Sequence, residues 1–177
     1  MNAQTTFNFQ WLSPLGIAVV LFLLSGAINI LTPIASLFLL HRYGPISPQT
    51  PQYFAFSARA DEAWLGKSPA QLVEEFPGLR RLYLLLIDFT EAFALGFAIL
   101  TIGLVWFGLR TGQGWALWTI LGGNVAMLAI YWGVALIPIM RQYGFPYMEI
   151  FHPFAAIPTV LVPIATVLAW IGLRTGG

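Results

Sequence analysis

The run LYLLLIDFTEAFALGFAILTIGLVWFGL, Leu82 to Leu109, decides how the chain is to be read. A helix needs about 20 apolar residues to cross roughly 30 Å of bilayer hydrocarbon, and this run exceeds that length. Arg80 and Arg81 precede it and Arg110 follows it, as cations do at the two ends of a span. Yet it carries two carboxylates, Asp88 and Glu91, three residues apart and so on one helix face.

Three further segments share this character: 15–40, 115–140 and 153–173, the last stopped by Arg174. Backbone in lipid must satisfy its own hydrogen bonds, so each is expected to be a helix. The expected fold is therefore all-α and integral to a membrane. It is a single membrane domain, 1–177, built as a four-transmembrane-helix up-down bundle with spans at about 15–40, 82–109, 115–140 and 153–173. One extramembrane loop, 41–79, interrupts it and contains a short helix.

Composition agrees. Charged residues are 8% of the chain, against about 25% in soluble domains, and hydrophobic residues are 58%. A net charge of +1 with no basic cluster excludes nucleic acid as a partner. Cysteine is absent, which excludes disulfides and thiolate metal sites. The first apolar run lacks a charged leader region and is longer than a secretory signal core, so it is expected to be a retained span.

Side A is the side expected to hold both termini, and side B the opposite one. Side B carries Arg42, Arg59, Lys67, Arg80, Arg81 and Arg141, while side A carries Arg110 and Arg174. This asymmetry places side B, with loop 41–79, in the cytoplasm. Within the loop, Pro45, Pro48 and Pro51 predict an extended, stiff segment over 42–53. SPAQLVEEF, Ser68 to Phe76, predicts a short helix: Ser68 is the cap, Pro69 the first helical residue, and Gln71 completes a capping box. Pro77-Gly78 ends it, and Leu72, Val73 and Phe76 give it an apolar edge. On side A, WFGLRTGQG (Trp106 to Gly114) and WIGLRTGG (Trp170 to Gly177) repeat one pattern, interfacial Trp, snorkelling Arg and a Gly helix stop.

Ionisable residues inside a span are costly and face protein or water. Measured from Arg81, Asp88 lies about 10 Å inside and Glu91 about 15 Å, at 1.5 Å per residue. Asn29, counted from Leu40, and Tyr131, counted from Arg141, reach about the same depth as Glu91. A polar layer of Asn29, Glu91 and Tyr131 is expected, with Asn124 two turns deeper on the third helix and Asp88 shallower, within reach of Arg80, Arg81, Arg141 or water. Pro33 has no N–H for the Asn29 carbonyl, which adds a free acceptor to that layer. Pro153, Pro158 and Pro163 predict a kinked fourth helix.

Two kinds of chemistry fit these residues. Glu149 and His152, in EIFH, have the Glu-x-x-His spacing of di-iron bundles, and His41 joins Asp88 and Glu91 on the same side. A di-iron site takes two such motifs and the chain has one, so Glu149, His152 and His41 are only weak candidates for metal ligands; either histidine could instead be an axial ligand to a tetrapyrrole. A pocket for a lipid, quinone, sterol or pigment is the other, since the chain is 15% aromatic and such pockets are apolar with a few placed polar groups. In that case Asp88 and Glu91 are the catalytic candidates, as proton carriers in a lipid-modifying enzyme. No serine or cysteine nucleophile with a base at a defined spacing, and no glycine-rich phosphate loop, points to a hydrolase. The first expectation is a non-catalytic accessory subunit of a larger membrane complex, such as an energy-transducing, respiratory or photosynthetic one. Its partners would be membrane lipids and other membrane subunits. The hydrophobic-ligand protein is the alternative.

Overall fold

The computed structural model describes residues 9–55, 57–144 and 153–175. The described residues are all-helical, with no strand. Helix α1 spans Pro14–Tyr43, and two short helices follow, α2 (Ala58–Leu65) and α3 (Pro69–Glu75). Helix α4 (Gly78–Gly103) continues through a π-helical turn, Leu104–Gly108, into a 3-10 turn, Leu109–Thr111. Helix α5 (Gly114–Leu128) leads through a π segment, Ala129–Leu136, into α6 (Ile137–Tyr143), and α7 spans Pro153–Thr175. Two stretches, Pro14–Tyr43 and Gly78–Thr111, are long and apolar enough to cross a membrane. Within α7 the apolar stretch Thr159–Thr175 is shorter.

Local chemistry explains the helix ends. At α1, the Ser13 hydroxyl accepts from the Gly16 N–H at 3.1 Å and donates to the Gln10 carbonyl at 2.7 Å, and Pro14 is the first helical residue. At α3 the capping box is complete: Ser68 N–H donates to Gln71 Oε1 at 3.0 Å, and Gln71 N–H to Ser68 Oγ at 3.3 Å. The π segment before α6 lies against Pro138, whose missing N–H and ring break the regular ladder one turn earlier.

The two side A repeats form one local device. Arg110 stacks 4.3 Å above the Trp106 ring and Arg174 4.1 Å above the Trp170 ring, each one turn apart. Thr111 donates to the Phe107 and Gly108 carbonyls, and Thr175 donates to the Ile171 and Gly172 carbonyls. The glycine in each serves packing. A Cβ on Gly108 would fall 2.6 Å from Ala116 Cβ, and one on Gly172 would fall 2.5 Å from the Leu15 backbone nitrogen.

Helix α1 packs most extensively against α7 and then α4. The buried core gathers toward side A, with Leu15, Ala18, Val19 and Phe22 of α1 against Val162, Ala165 and Ala169 of α7. Ala116, Leu117 and Ile120 of α5 and Val105 and Leu109 of the α4 extension close it. Ala18, Ala116, Ala165 and Ala169 stand among the larger aliphatic side chains of these contacts and let the helices approach closely. Toward side B the packing thins. Among the described residues of α4 only Ala98 is buried, and Leu85, Phe89 and Phe93 are each about two-thirds exposed.

The loop departs from expectation in two places. Segment 42–53 is a hydrogen-bonded turn instead of an extended strut: the Thr50 hydroxyl donates to the Gly44 carbonyl at 2.9 Å and accepts from the Ser47 N–H at 2.9 Å. Ile46 takes a left-handed conformation there, with φ 55°. Thr50 acts as the hub, and three prolines with fixed φ favour turns as readily as extension. Helix α2 is the second departure. Ser57 caps it, accepting from Ala60 N–H at 3.1 Å, and Gly66 ends it in the left-handed region at φ 76°.

Candidate functional site

Two contacts fix the register of α1 against α4. The His41 imidazole Nε2 lies 2.8 Å from Asp88 Oδ1 and donates to it. About four turns away, Gly26 meets the Ile102 side chain, and a Cβ there would sit 2.7 Å from Ile102 Cγ1. The helices are antiparallel, so Asp88 stands level with the end of α1. Glu91 then stands level with Phe38, and Asn29 level with Ile99 and Leu100.

The acids of the opening stretch are thus drawn apart from the amide they were matched with. Asp88 is engaged by His41, not by Arg80, Arg81 or Arg141. Both members of the pair keep contact with their surroundings, at 56% exposure for His41 and 39% for Asp88. Glu91 is half-buried and forms no hydrogen bond with the described residues. Asn29 is half-buried too, likewise without a hydrogen bond to them, about 12 Å from the level of Glu91 at 1.5 Å per residue. The depth count failed because it started at Arg81, whereas α4 extends well past the end of α1. Asn124 is buried and serves its own helix, with Nδ2 donating to the Ile120 carbonyl at 2.8 Å. Tyr131 lies on the π segment between α5 and α6.

A pair this exposed is worth little. A double-mutant cycle on His41→Ala and Asp88→Asn, read as unfolding free energy in micelles, is expected to give a coupling of about 0.5–1 kcal/mol at most. A coupling of several kcal/mol would mean that the pair is shielded from solvent in the working protein.

Among the described residues no group of three or more His, Asp or Glu side chains is arranged to hold a metal ion. His41 and Asp88 meet, and Glu91 does not complete a third ligand. Glu149 and His152 lie outside the described residues.

A second feature on side B is built mostly from residues that the sequence did not single out, with Leu72 and Phe76 of the α3 apolar edge among them. Asp61, fully buried in α2, accepts through Oδ2 from the backbone N–H groups of Phe54 and Ala55, the latter at 3.0 Å. The Tyr83 hydroxyl of α4 donates to the Tyr53 carbonyl at 3.2 Å, and its ring packs edge-on against Phe54 at 5.1 Å. Residues 53–55 are thereby tied to α2 on one side and α4 on the other. Between these elements opens an apolar groove of about 720 Å³. Trp64 and Leu65 of α2, Leu72 of α3, Phe76, and Leu79, Leu82 and Leu86 of α4 form most of its wall. Ile87 and Thr90 line its lower end, while Asp88 and Glu91 do not line it. The only sequence sign of the Asp61 anchor was a Ser57 cap and a Gly66 stop around a helix eight residues long.

Comparison with protein-family models, with curated proteins and with solved structures finds no match.

Proposed function

We propose that the chain is a multi-pass membrane protein of four spans, with side B in the cytoplasm, and that it serves as a non-catalytic accessory subunit of a larger membrane complex. The helical stretches Pro14–Tyr43, Gly78–Thr111, Gly114–Tyr143 and Pro153–Thr175 are the spans. Their outward side chains support embedding in an apolar medium: Leu31, Phe38, Leu100, Phe107 and Ile130 are all more than 60% exposed. The distance from Asp88 to Arg110 along α4 is about 33 Å. That matches the hydrocarbon thickness and puts the His41–Asp88 pair at the side B boundary.

The observation that carries the subunit reading is the pair of polar side chains inside those limits without a hydrogen-bond partner among the described residues. Asn29 lies about 18 Å below His41 and Glu91 about 4.5 Å below Asp88, and neither hydrogen-bonds to the described residues. A polar group left unmet in hydrocarbon costs roughly 2–7 kcal/mol. Helices of another subunit, laid on the thinly packed side B half of α4, would supply the missing donors and acceptors. An enzyme built on Asp88 and Glu91 is less well supported, because His41 occupies one acid and neither lines the groove.

Extraction from the native membrane in mild detergent, followed by native mass spectrometry, tests the proposal. The chain is expected to leave with protein partners in fixed ratio, and Asn29→Ala with Glu91→Gln is expected to release them while the helical content stays unchanged. A lone, monodisperse monomer sinks the subunit reading.

A further inference from the structure

We propose that the groove between α2, α3 and the first turns of α4 holds an acyl chain of an anionic phospholipid, with the lipid phosphate at Arg80 and Arg81. The inference rests on the membrane reading above and adds a ligand to it.

Its volume, about 720 Å³, falls within the roughly 300–1,000 Å³ typical of small-molecule sites. Its position relative to the bilayer is what identifies the occupant. Ile87 and Thr90 at the lower end flank the level of Asp88, which marks the edge of the hydrocarbon. Leu79 at the upper end stands about 12 Å farther out along α4. The groove therefore begins in the hydrocarbon and rises past the headgroup layer, which adds about 5–7 Å per leaflet. Over that height its wall remains apolar and open, with Trp64, Phe76, Leu82 and Leu86 about half exposed. Water against such a wall is unfavourable, and lipid chain is apolar material that can enter from the lower end.

Charge selects the headgroup. Arg80 and Arg81 directly follow Leu79 without lining the groove themselves, are exposed, and form no ion pair with the described residues. Arg80 also borders a smaller hollow next to Glu74, without bonding to it. Two adjacent guanidinium groups suit a phosphate, which they can meet with paired N–H donors. A lipid with its phosphate there runs its chain down α4 past Leu82 and Leu86 to Thr90, with its head raised about 10 Å above the hydrocarbon edge.

Trp64 reports on this directly, since it lines the groove above the hydrocarbon. The full chain is reconstituted in phosphatidylcholine vesicles doped with bromine-labelled phosphatidylglycerol or bromine-labelled phosphatidylcholine. The difference between the chain and its Trp64→Phe variant isolates the Trp64 emission. Quenching of Trp64 is expected at a roughly tenfold lower fraction of the anionic lipid than of the neutral one. In Arg80→Gln/Arg81→Gln that preference is expected to vanish. No Trp64 quenching by either lipid overturns the proposal, and so does equal quenching by both; the comparison on the unsubstituted chain decides even if the double variant fails to fold. Trp106 and Trp118 serve as the insertion control. Their quenching with Trp64 untouched defeats the groove assignment alone, whereas no quenching anywhere defeats the membrane reading.

Discussion

Replacing Gly172 with alanine is expected to lower the stability of the folded bundle by about 3 kcal/mol, the upper part of the range for an overpacked contact. The added Cβ would lie 2.5 Å from both the backbone nitrogen and the Cβ of Leu15, and 2.8 Å from its Cα. These atoms belong to the first turn of α1, which the Ser13 cap holds in place. Neither a rotamer change nor a local shift removes the clash. The end of α1 must separate from α7, and Leu15, Ala18, Ala165 and Ala169 lose their contact. Gly26→Ala is the control: its Cβ meets the side-chain carbons of Ile102 at 2.7 and 3.1 Å, and a side chain can turn away. That change is expected to cost about 1 kcal/mol. Reversible unfolding in mixed micelles measures both. Equal losses for the two variants would mean that α1 and α7 can part more easily than the side A core implies.

Asp61→Ala is expected to release the side B layer while leaving the main helices folded. The carboxylate is fully buried and accepts from two backbone N–H groups, Phe54 and Ala55. Removing it takes the acceptor from both donors in a part-buried segment that lies outside any helix. Hydrogen bonds to a charged group contribute about 1.5–3 kcal/mol each, so a loss of about 3 kcal/mol is a conservative figure. That corresponds to roughly a hundredfold increase in the open population of the layer. Tryptic cleavage after Arg59 and Lys67 should accelerate by a similar factor, with helicity by circular dichroism nearly unchanged. Asp61→Asn keeps the shape and one acceptor oxygen and should fall between the two. Should cleavage rates stay unchanged, the loop would be held by the Tyr83–Tyr53 contact and the α3 packing, and Asp61 would be incidental. The same variant removes a wall of the groove, which links this result to the lipid experiment.

These expectations rest on features of different legibility. The long helices could be placed within a few residues from apolar length, the bracketing arginines and the Pro-Gly breaks. The α3 capping box was legible because Ser68 and Gln71 act on each other within one turn. The Trp-Gly-Leu-Arg-Thr device was legible as a repeat, although the roles of Gly108 and Gly172 in helix contact were not. By contrast, α2 was missed: eight residues carrying two acids and an arginine show little apolar periodicity, and the cap and stop signals around them are weak alone. The polar layer was drawn from helix depth counted at the wrong boundary. His41 had been considered only as a metal or tetrapyrrole ligand, not as the partner of Asp88.

Sequence alone determined the long helices and α3, because apolar length, capping and backbone satisfaction act within a few residues along the chain. It also determined that LLIDFTEAFALG carries its acids on one face of a helix. Only the tertiary structure decided what that face meets. The register of α1 against α4 is set by contacts between residues far apart in sequence, Gly26 with Ile102 and His41 with Asp88. A shift of one turn, about 5.4 Å, would have changed every partner. Tertiary contacts, not local propensity, chose between those registers, and the groove exists only because three successive helices fold back to share a wall.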